Sequence, residues 1–234
     1  MPGRRARVPH YTKNLALGLF NAGLVALLFA GFLVTVAAAA EHRGFGLLRW
    51  LNAPPWLAWP LAIVVFDFWQ YVWHRLNHRV PFLWRFHKVH HSDVELDAST
   101  ALRFHTGEIV LSTLLRMVVV PLLGITIAQV AVYETILMPI ILLHHSNVRM
   151  PRRLDNVLRW IIVTPYMHWV HHSDQKPETD SNYSSIFSVW DRLFKSFRFR
   201  EEPREIQFGL GLREEEWRPL RGFLALPFRQ AKKE

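Results

Sequence analysis

Cysteine is absent from the 234 residues. No disulfide framework follows, and no thiolate is present for a zinc finger or an iron–sulfur cluster. A G-x-G-x-x-G nucleotide fingerprint is missing too, so nothing marks a bound dinucleotide. Charge is missing in blocks. Asn14 to Ala40 carries none over 27 residues, Trp56 to Trp73 carries only Asp67, and Ile109 to Leu143 carries only Arg116 and Glu134 in 35. A bilayer crossing takes about 20 mainly apolar residues, so the first stretch predicts one crossing and the last predicts two. The middle stretch is short, but Trp and Tyr crowd its ends as they do at a membrane interface. The first stretch does not read as a secretory signal: its apolar part is too long and it lacks a clear cleavage site.

Acidic side chains are outnumbered 19 to 28, giving a net charge of +9. The excess sits in short runs beside the apolar tracts: Arg4, Arg5, Arg7 and Lys13 before the first, and Arg152, Arg153 and Arg159 after the last. This is the distribution of positive-inside loops and of attraction to anionic lipid, and it argues against nucleic acid as a partner.

Histidine is what the chain has in quantity. His87-Lys88-Val89-His90-His91-Ser92-Asp93 recurs as His168-Trp169-Val170-His171-His172-Ser173-Asp174, identical at six of seven positions. A third box, His74-x-x-x-His78, lies just upstream. Imidazole is the commonest metal ligand among side chains. At helical spacing, residues i and i+4 share a face and can share an ion, while the adjacent pair of an HxxHH box fans out, so one member can reach a second ion. Three boxes on separate helices therefore point to two neighbouring metal ions in a nearly all-nitrogen field. The candidate ligands are His74, His78, His87, His90, His91, His168, His171 and His172, joined by His145 at a helix end. His144 and His105 are further candidates. Asp93 and Asp174 are candidates to accept a ring N–H and fix a ligand's tautomer; the alternative is that each Ser-Asp simply ends its helix. His10 and His42 belong to no box and are expected at the surface. Imidazole suits iron, zinc, copper and nickel alike, so the ligand type leaves the metal open.

The expected fold is all-α: an integral membrane protein with about four transmembrane helices (near 14–40, 56–73, 108–123 and 126–143) and a cytoplasmic helical cap that holds the His-rich dimetal site. The basic amino terminus sets both termini and the His-rich face on the cytoplasmic side. Further helices are expected at 82–91, at 154–163 and from Thr164-Pro165 onward, with loops at 92–101 and 175–185. The chain divides into a basic amino terminus (1–13), a membrane-embedded domain (14–197) and a charged, partly ordered tail (198–234).

Taken together, HxxxH, HxxHH, a histidine after a membrane hairpin and a final HxxHH resemble the fatty acid hydroxylase/sterol desaturase superfamily. Arg103 to Glu108 resembles that family's Arg-x-His-Pro-x-Glu element, with Thr106 in place of proline. His145-Ser146-Asn147-Val148 is similar to its His-Ala-Asn-Val element. Asn182-Tyr183-Ser184 and Trp190-Asp191-Arg192-Leu193-Phe194 are similar to its Asn-Tyr-Gly and Trp-Asp-x-Leu-Phe ending, with Ser184 standing for glycine and Lys195-Ser196 for Gly-Thr. The likeness covers roughly residues 60–197. It implies a non-haem di-iron oxygenase, with two iron ions as cofactor (zinc can replace them in a purified protein) and O2 as co-substrate. A membrane lipid would be hydroxylated or desaturated with electrons from a separate donor, cytochrome b5-like or a ferredoxin with its reductase. Which lipid is left open. Two rivals remain at this level: a membrane zinc hydrolase using metal-bound hydroxide, and a non-catalytic haem or metal carrier, which adjacent HxxHH stripes and ligands outside the spans fit poorly.

Overall fold

The computed structural model describes residues 4–210 and 220–229. Among them the chain is helical, with isolated bridges and no strand ladder. The helices are α1 (Arg4–Leu28), α2 (Ala30–His42), α3 (Leu47–Trp50), α4 (Pro55–Arg79), α5 (Pro81–His91), α6 (Thr106–Leu123), α7 (Ile127–His145), α8 (Arg152–Leu158), α9 (Pro165–His171), α10 (Lys176–Thr179), α11 (Val189–Leu193) and α12 (Leu220–Ala225).

Two helices, α6 and α7, are each long and apolar enough to cross a membrane. A third crossing is present if the segments Val8–Leu28 and Ala30–Trp50, bent by 53° at their junction, count as one. This differs from the expectation of about four. The tract 14–40 is not one straight rod: Phe29, at φ −125°, interrupts it. The first half turns aside to pack on the box-bearing end, where Asn21 Nδ2 donates to the Phe104 carbonyl at 2.9 Å. α4 is 25 residues long but falls outside the crossing set. Asp67 and Gln70 interrupt its apolar run, and its last turns carry His74 and His78.

The longer helices run between two ends. At one end, His10 of α1 meets Asp93, just beyond α5. At the other, Gly46 lies against Gly124, the left-handed C-cap of α6. A Cβ on Gly46, itself at φ +118°, would come within 2.4 Å of the Gly124 backbone, so this crossing requires glycine. α4 returns from that end, α6 leaves and α7 returns, which brings the ends of α4 and α7 together beside α5 and α9.

Local chemistry fixes the boundaries. Pro81 opens α5 at its first turn, where a missing N–H costs nothing, after Val80 in extended geometry. Thr126 and Gln129 form a reciprocal capping box that starts α7. Thr164 caps α9, accepting from Met167 N and donating to Asp155 Oδ1 at 2.6 Å. The core between α2, α4, α6 and α7 centres on Phe66, Val120 and Tyr133. Leu114, Val118 and Leu122 form an exposed i, i+4, i+8 stripe along α6, the face that suits lipid.

Three expectations need amendment. The expected loop 92–101 closes with a capped 3-10 turn, Ala98–Leu102. The helix expected at 154–163 is the shorter α8. The expected loop 175–185 contains α10. Parts of the expected tail, 211–219 and 230–234, lie outside the described residues. The described remainder is docked: Phe223 and Leu226 pack with Leu17 and Val89, and the Arg103 guanidinium stacks 4.0 Å from the Phe223 ring centre.

Candidate metal centre

Helical spacing aims the boxes inward, and four helix ends bring them together. Nine imidazoles fall into two adjacent groups. His74, His78, His87, His91 and His171 form one, and His90, His145, His168 and His172 form the other; in each, one nitrogen per ring lies within 4.8 Å of all its companions. These are the nine principal candidates from the sequence. The two HxxHH boxes are shared in opposite senses. The first sends its i and i+4 members, His87 and His91, to one group and His90 to the other. The second sends His168 and His172 to the group of His90, and His171 to that of His87. The groups touch where the His91 and His172 rings stack at 4.5 Å.

The hydrogen bonds set which nitrogen faces inward. Nδ1 donates to the Tyr183 carbonyl from His74 at 2.8 Å, to the Ser181 carbonyl from His171 at 2.7 Å, and to the Ile141 carbonyl from His145 at 2.7 Å. Nδ1 of His87 donates to Glu108 Oε1 at 2.8 Å. Each bond leaves an Nε2 lone pair directed at the cluster, which is how supporting groups orient metal ligands.

The residues fit a metal. In the first group, Nε2 of His74, His87 and His171 and both nitrogens of His78 and His91 are buried with no hydrogen-bond partner. Buried polar atoms are rarely left so. In the second group, Nε2 atoms meet in a chain: His90 to His145 at 3.1 Å, His145 to His168 at 2.9 Å and His168 to His172 at 3.1 Å. A ring nitrogen either donates or accepts, never both, so His145 and His168 cannot form two full hydrogen bonds each. A shared cation satisfies all four, since nitrogens about 2.1 Å from a tetrahedral ion lie roughly 3.4 Å apart. Burial, and after it the neighbouring imidazoles, push His90, His91, His168, His171 and His172 well below the ordinary 6.5, which keeps them neutral as ligands must be.

Several other candidates stand apart. His144 is buried, its ring 4.0 Å from that of His168, but it belongs to neither group. His105 caps α6, accepting from Gly107 N at 2.9 Å. Asp93 is corrected: its carboxylate takes His10 Nε2 at 2.9 Å and the Thr100 hydroxyl at 2.7 Å rather than a clustered ring. Burial alone would raise its pKa, but Arg103 and His10 hold the carboxyl well below its usual value. Asp174 is corrected as well; its carboxylate accepts from the adjacent Gln175 side chain at 3.0 Å. His10 is no surface residue. It is wedged between Asp93 and Asp97 with its side chain 13 % exposed.

The supporting role given to Asp93 and Asp174 is filled by Glu108 and by main-chain carbonyls. Sequence reasoning placed Glu108 in the Arg103–Glu108 element without a function. The signal was its position three residues beyond the Arg103–His105 run, on the first turn of a helix leading away from the boxes. Asp180 Oδ1 also approaches His78 Nδ1, at 3.5 Å.

A cavity of about 270 Å³ opens directly on both groups, reaching His74, His87, His90 and His145, and runs between α4, α6 and α7 into the apolar layer past Leu137 and Met138. Its far end is marked by Arg116 and Glu134.

Paired imidazole clusters at the end of an apolar helical bundle define a membrane protein of the histidine-box kind. Residues 59–196 match the fatty acid hydroxylase family, and the chain belongs to it. It is 32% identical over 158 residues to an ornithine lipid hydroxylase of Rhizobium tropici, covering 65% of this chain and 47% of that one. It is 28% identical over 200 residues to human alkylglycerol monooxygenase (83% of this chain, 43% of the relative). It is 27% identical over 145 residues to human cholesterol 25-hydroxylase (61% and 52%). The chain thus spans about half the length of these relatives. No solved structure matches it significantly.

Proposed function

We propose that the chain is a membrane-bound, non-haem di-iron oxygenase that inserts oxygen into a C–H bond of a lipid, using O2 and electrons from a separate donor. The observation that carries this reading is the pair of inward-facing nitrogen groups lining one largely apolar cavity. Hydroxylation is favoured over desaturation because the relatives are named as hydroxylases and monooxygenases.

His74, His78, His87, His91 and His171 would hold one iron, and His90, His145, His168 and His172 the other. When bound, the two ions supply the activation of O2 and the removal of hydrogen from an unactivated carbon. The protein supplies the rest. Carbonyls of Ile141, Ser181 and Tyr183 and the Glu108 carboxylate fix the rings. Burial excludes bulk water, and the cavity leads an alkyl chain from the bilayer to the clusters. The gathering of both clusters at one end of the apolar helices supports their lying at one membrane face. The basic runs make that face, and both termini, cytoplasmic. A cytochrome b5-like protein or a ferredoxin would deliver electrons there.

The test is expression in a bacterial host grown under 18O2, followed by lipid mass spectrometry. One 18O atom per modified lipid is expected, absent when both His90 and His171 are replaced by Ala. Lipid cleavage without isotope uptake would establish a hydrolase and overturn the reading.

A further inference from the structure

Arg116 and Glu134 are the only charges in the 35 residues from Ile109 to Leu143, and they find each other: Arg116 Nη1 donates to Glu134 Oε1 at 2.6 Å, from α6 to α7. Ionisable groups within a bilayer are costly and typically functional. An interhelical strap explains the pair only in part. Both residues line the cavity that ends on the histidine clusters. Arg116 Nε is buried without a partner, and so is Oε1 of Gln70, which lines the same cavity from α4. An unpartnered donor and an unpartnered acceptor thus belong to two side chains that line one cavity.

Helix geometry gives the depth by two routes. Arg116 follows Glu108, the partner of His87, by eight residues on α6. Its guanidinium lies 5.7 Å over the ring of Phe66, which precedes His74 by eight residues on α4. Either route is a rise of about 12 Å. The cavity, at about 270 Å³, is too small for a whole lipid and takes one arm of it.

We propose that Arg116, held by Glu134, together with Gln70, binds an uncharged oxygen function of the lipid (a hydroxyl, ether or carbonyl) and so sets which carbon, about 12 Å away, reaches the metal centre. A neutral function is specified because the ion pair is already balanced, and a further charge would go uncompensated. This rests on the lipid-oxidising reading above.

The test is equilibrium binding of tritiated 1-hexadecanol and n-hexadecane to the iron-loaded protein in nanodiscs. The wild type is expected to hold the alcohol about tenfold more tightly. Arg116→Gln with Glu134→Gln removes that preference and scatters the position of the inserted 18O along the host lipid chain, with iron content unchanged. The charge-swapped pair, Arg116→Glu with Glu134→Arg, keeps the interhelical attraction and also loses the preference; it decides the matter should the neutral pair fail to fold. Equal binding of the two probes by the wild type, or a preference retained in the charge-swapped pair, would overturn the anchor. A wild-type preference without any 18O product leaves the anchor standing and sinks the oxygenase instead.

Discussion

Glu108 Oε1 accepts a 2.8 Å hydrogen bond from Nδ1 of His87, tying the first turn of α6 to the leading histidine of the first HxxHH box. The carboxylate is buried, with Oε2 unpartnered, so the bond is its main compensation. Removing it frees the His87 ring to rotate and to change tautomer. Glu108→Ala is therefore expected to weaken metal retention roughly 10- to 100-fold, read as iron lost to a chelator over time. Glu108→Gln, which still accepts through its carbonyl, should fall between. Retention equal to wild type in Glu108→Ala would show that the ring is held by packing alone.

The opposite sharing of the two boxes makes the groups separately addressable. His171→Ala removes a ligand from the five-histidine group, and His90→Ala one from the four-histidine group. The four-nitrogen site has no spare ligand, so His90→Ala is expected to lose one iron of two, while His171→Ala keeps more than half of the ion it contacts. Membrane insertion stays normal in both, since neither residue lies in α6 or α7. Lys88 lies between ligands in the box, but its Nζ reaches outward to the Arg229 carbonyl at 3.2 Å. Lys88→Ala should leave metal content intact. Metal analysis of the three purified variants checks all of this.

The boxes and the two-group geometry were legible in the sequence because helical periodicity is local: i, i+3 and i+4 need only a helix to become a cluster. The partners were not. Asp93 sits beside a box in sequence but turns to His10, 83 residues away, and Glu108 takes the supporting role from another helix. Such pairings are decided by how helices pack. The bend at Phe29 was hidden for a different reason: an uncharged tract reads the same whether straight or broken. The four-residue support around Asp67 was equally silent, since a lone acid in an apolar run does not name its donors.

Asp67 is fully buried in α4 and accepts four bonds: from Tyr133 Oη at 2.9 Å, Ile186 N and Phe187 N at 3.1 Å each, and Trp190 Nε1 at 2.8 Å. It therefore staples the segment after the last box, including the Tyr183 carbonyl that orients His74, onto the membrane helices. Asp67→Ala strands four donors, two of them in fully buried bonds and two in part-buried ones, and is expected to cost about 3 kcal/mol or more. Thermal unfolding in detergent measures it, and a shift of less than a degree would refute the staple.

Proton uptake gives a sign that can be checked on the metal-free protein. Burial, then neighbouring imidazoles, depress His90, His91, His168, His171 and His172 well below 6.5 in the fold. The unfolded chain, with ordinary imidazoles, binds more protons between the two values. Stability is thus greatest above about pH 6.5 and declines as pH falls below it. The melting temperature of chelated protein should drop between about pH 7.5 and 5.5, and iron should shift the decline to lower pH. A flat profile for the chelated form would mean that the clusters are open to water.

Lys195 stands where the resembling family has glycine, and it adopts φ +57°. The left-handed region costs a residue with a Cβ roughly 1–2 kcal/mol, and glycine escapes most of that. The turn is not free to relax. Its neighbour Ser196 donates from its backbone N and its hydroxyl to Asp191, and the same hydroxyl meets Tyr71 Oη at 2.8 Å. Asp191 in turn takes the Tyr183 and Ser184 backbone N–H groups at 2.8 and 3.0 Å, holding the strand of chain that orients His74. Lys195→Gly keeps these bonds and removes the strain, at the cost of a floppier unfolded chain. The expected net effect is a rise in stability of about half to one kcal/mol, with iron content and lipid oxidation unchanged. Lys195→Val, β-branched and worse in that region, should fall on the other side of wild type. The two variants compared by thermal unfolding in one detergent decide the point, and the reverse order would show that the Lys195 side chain makes a contact worth more than its backbone strain.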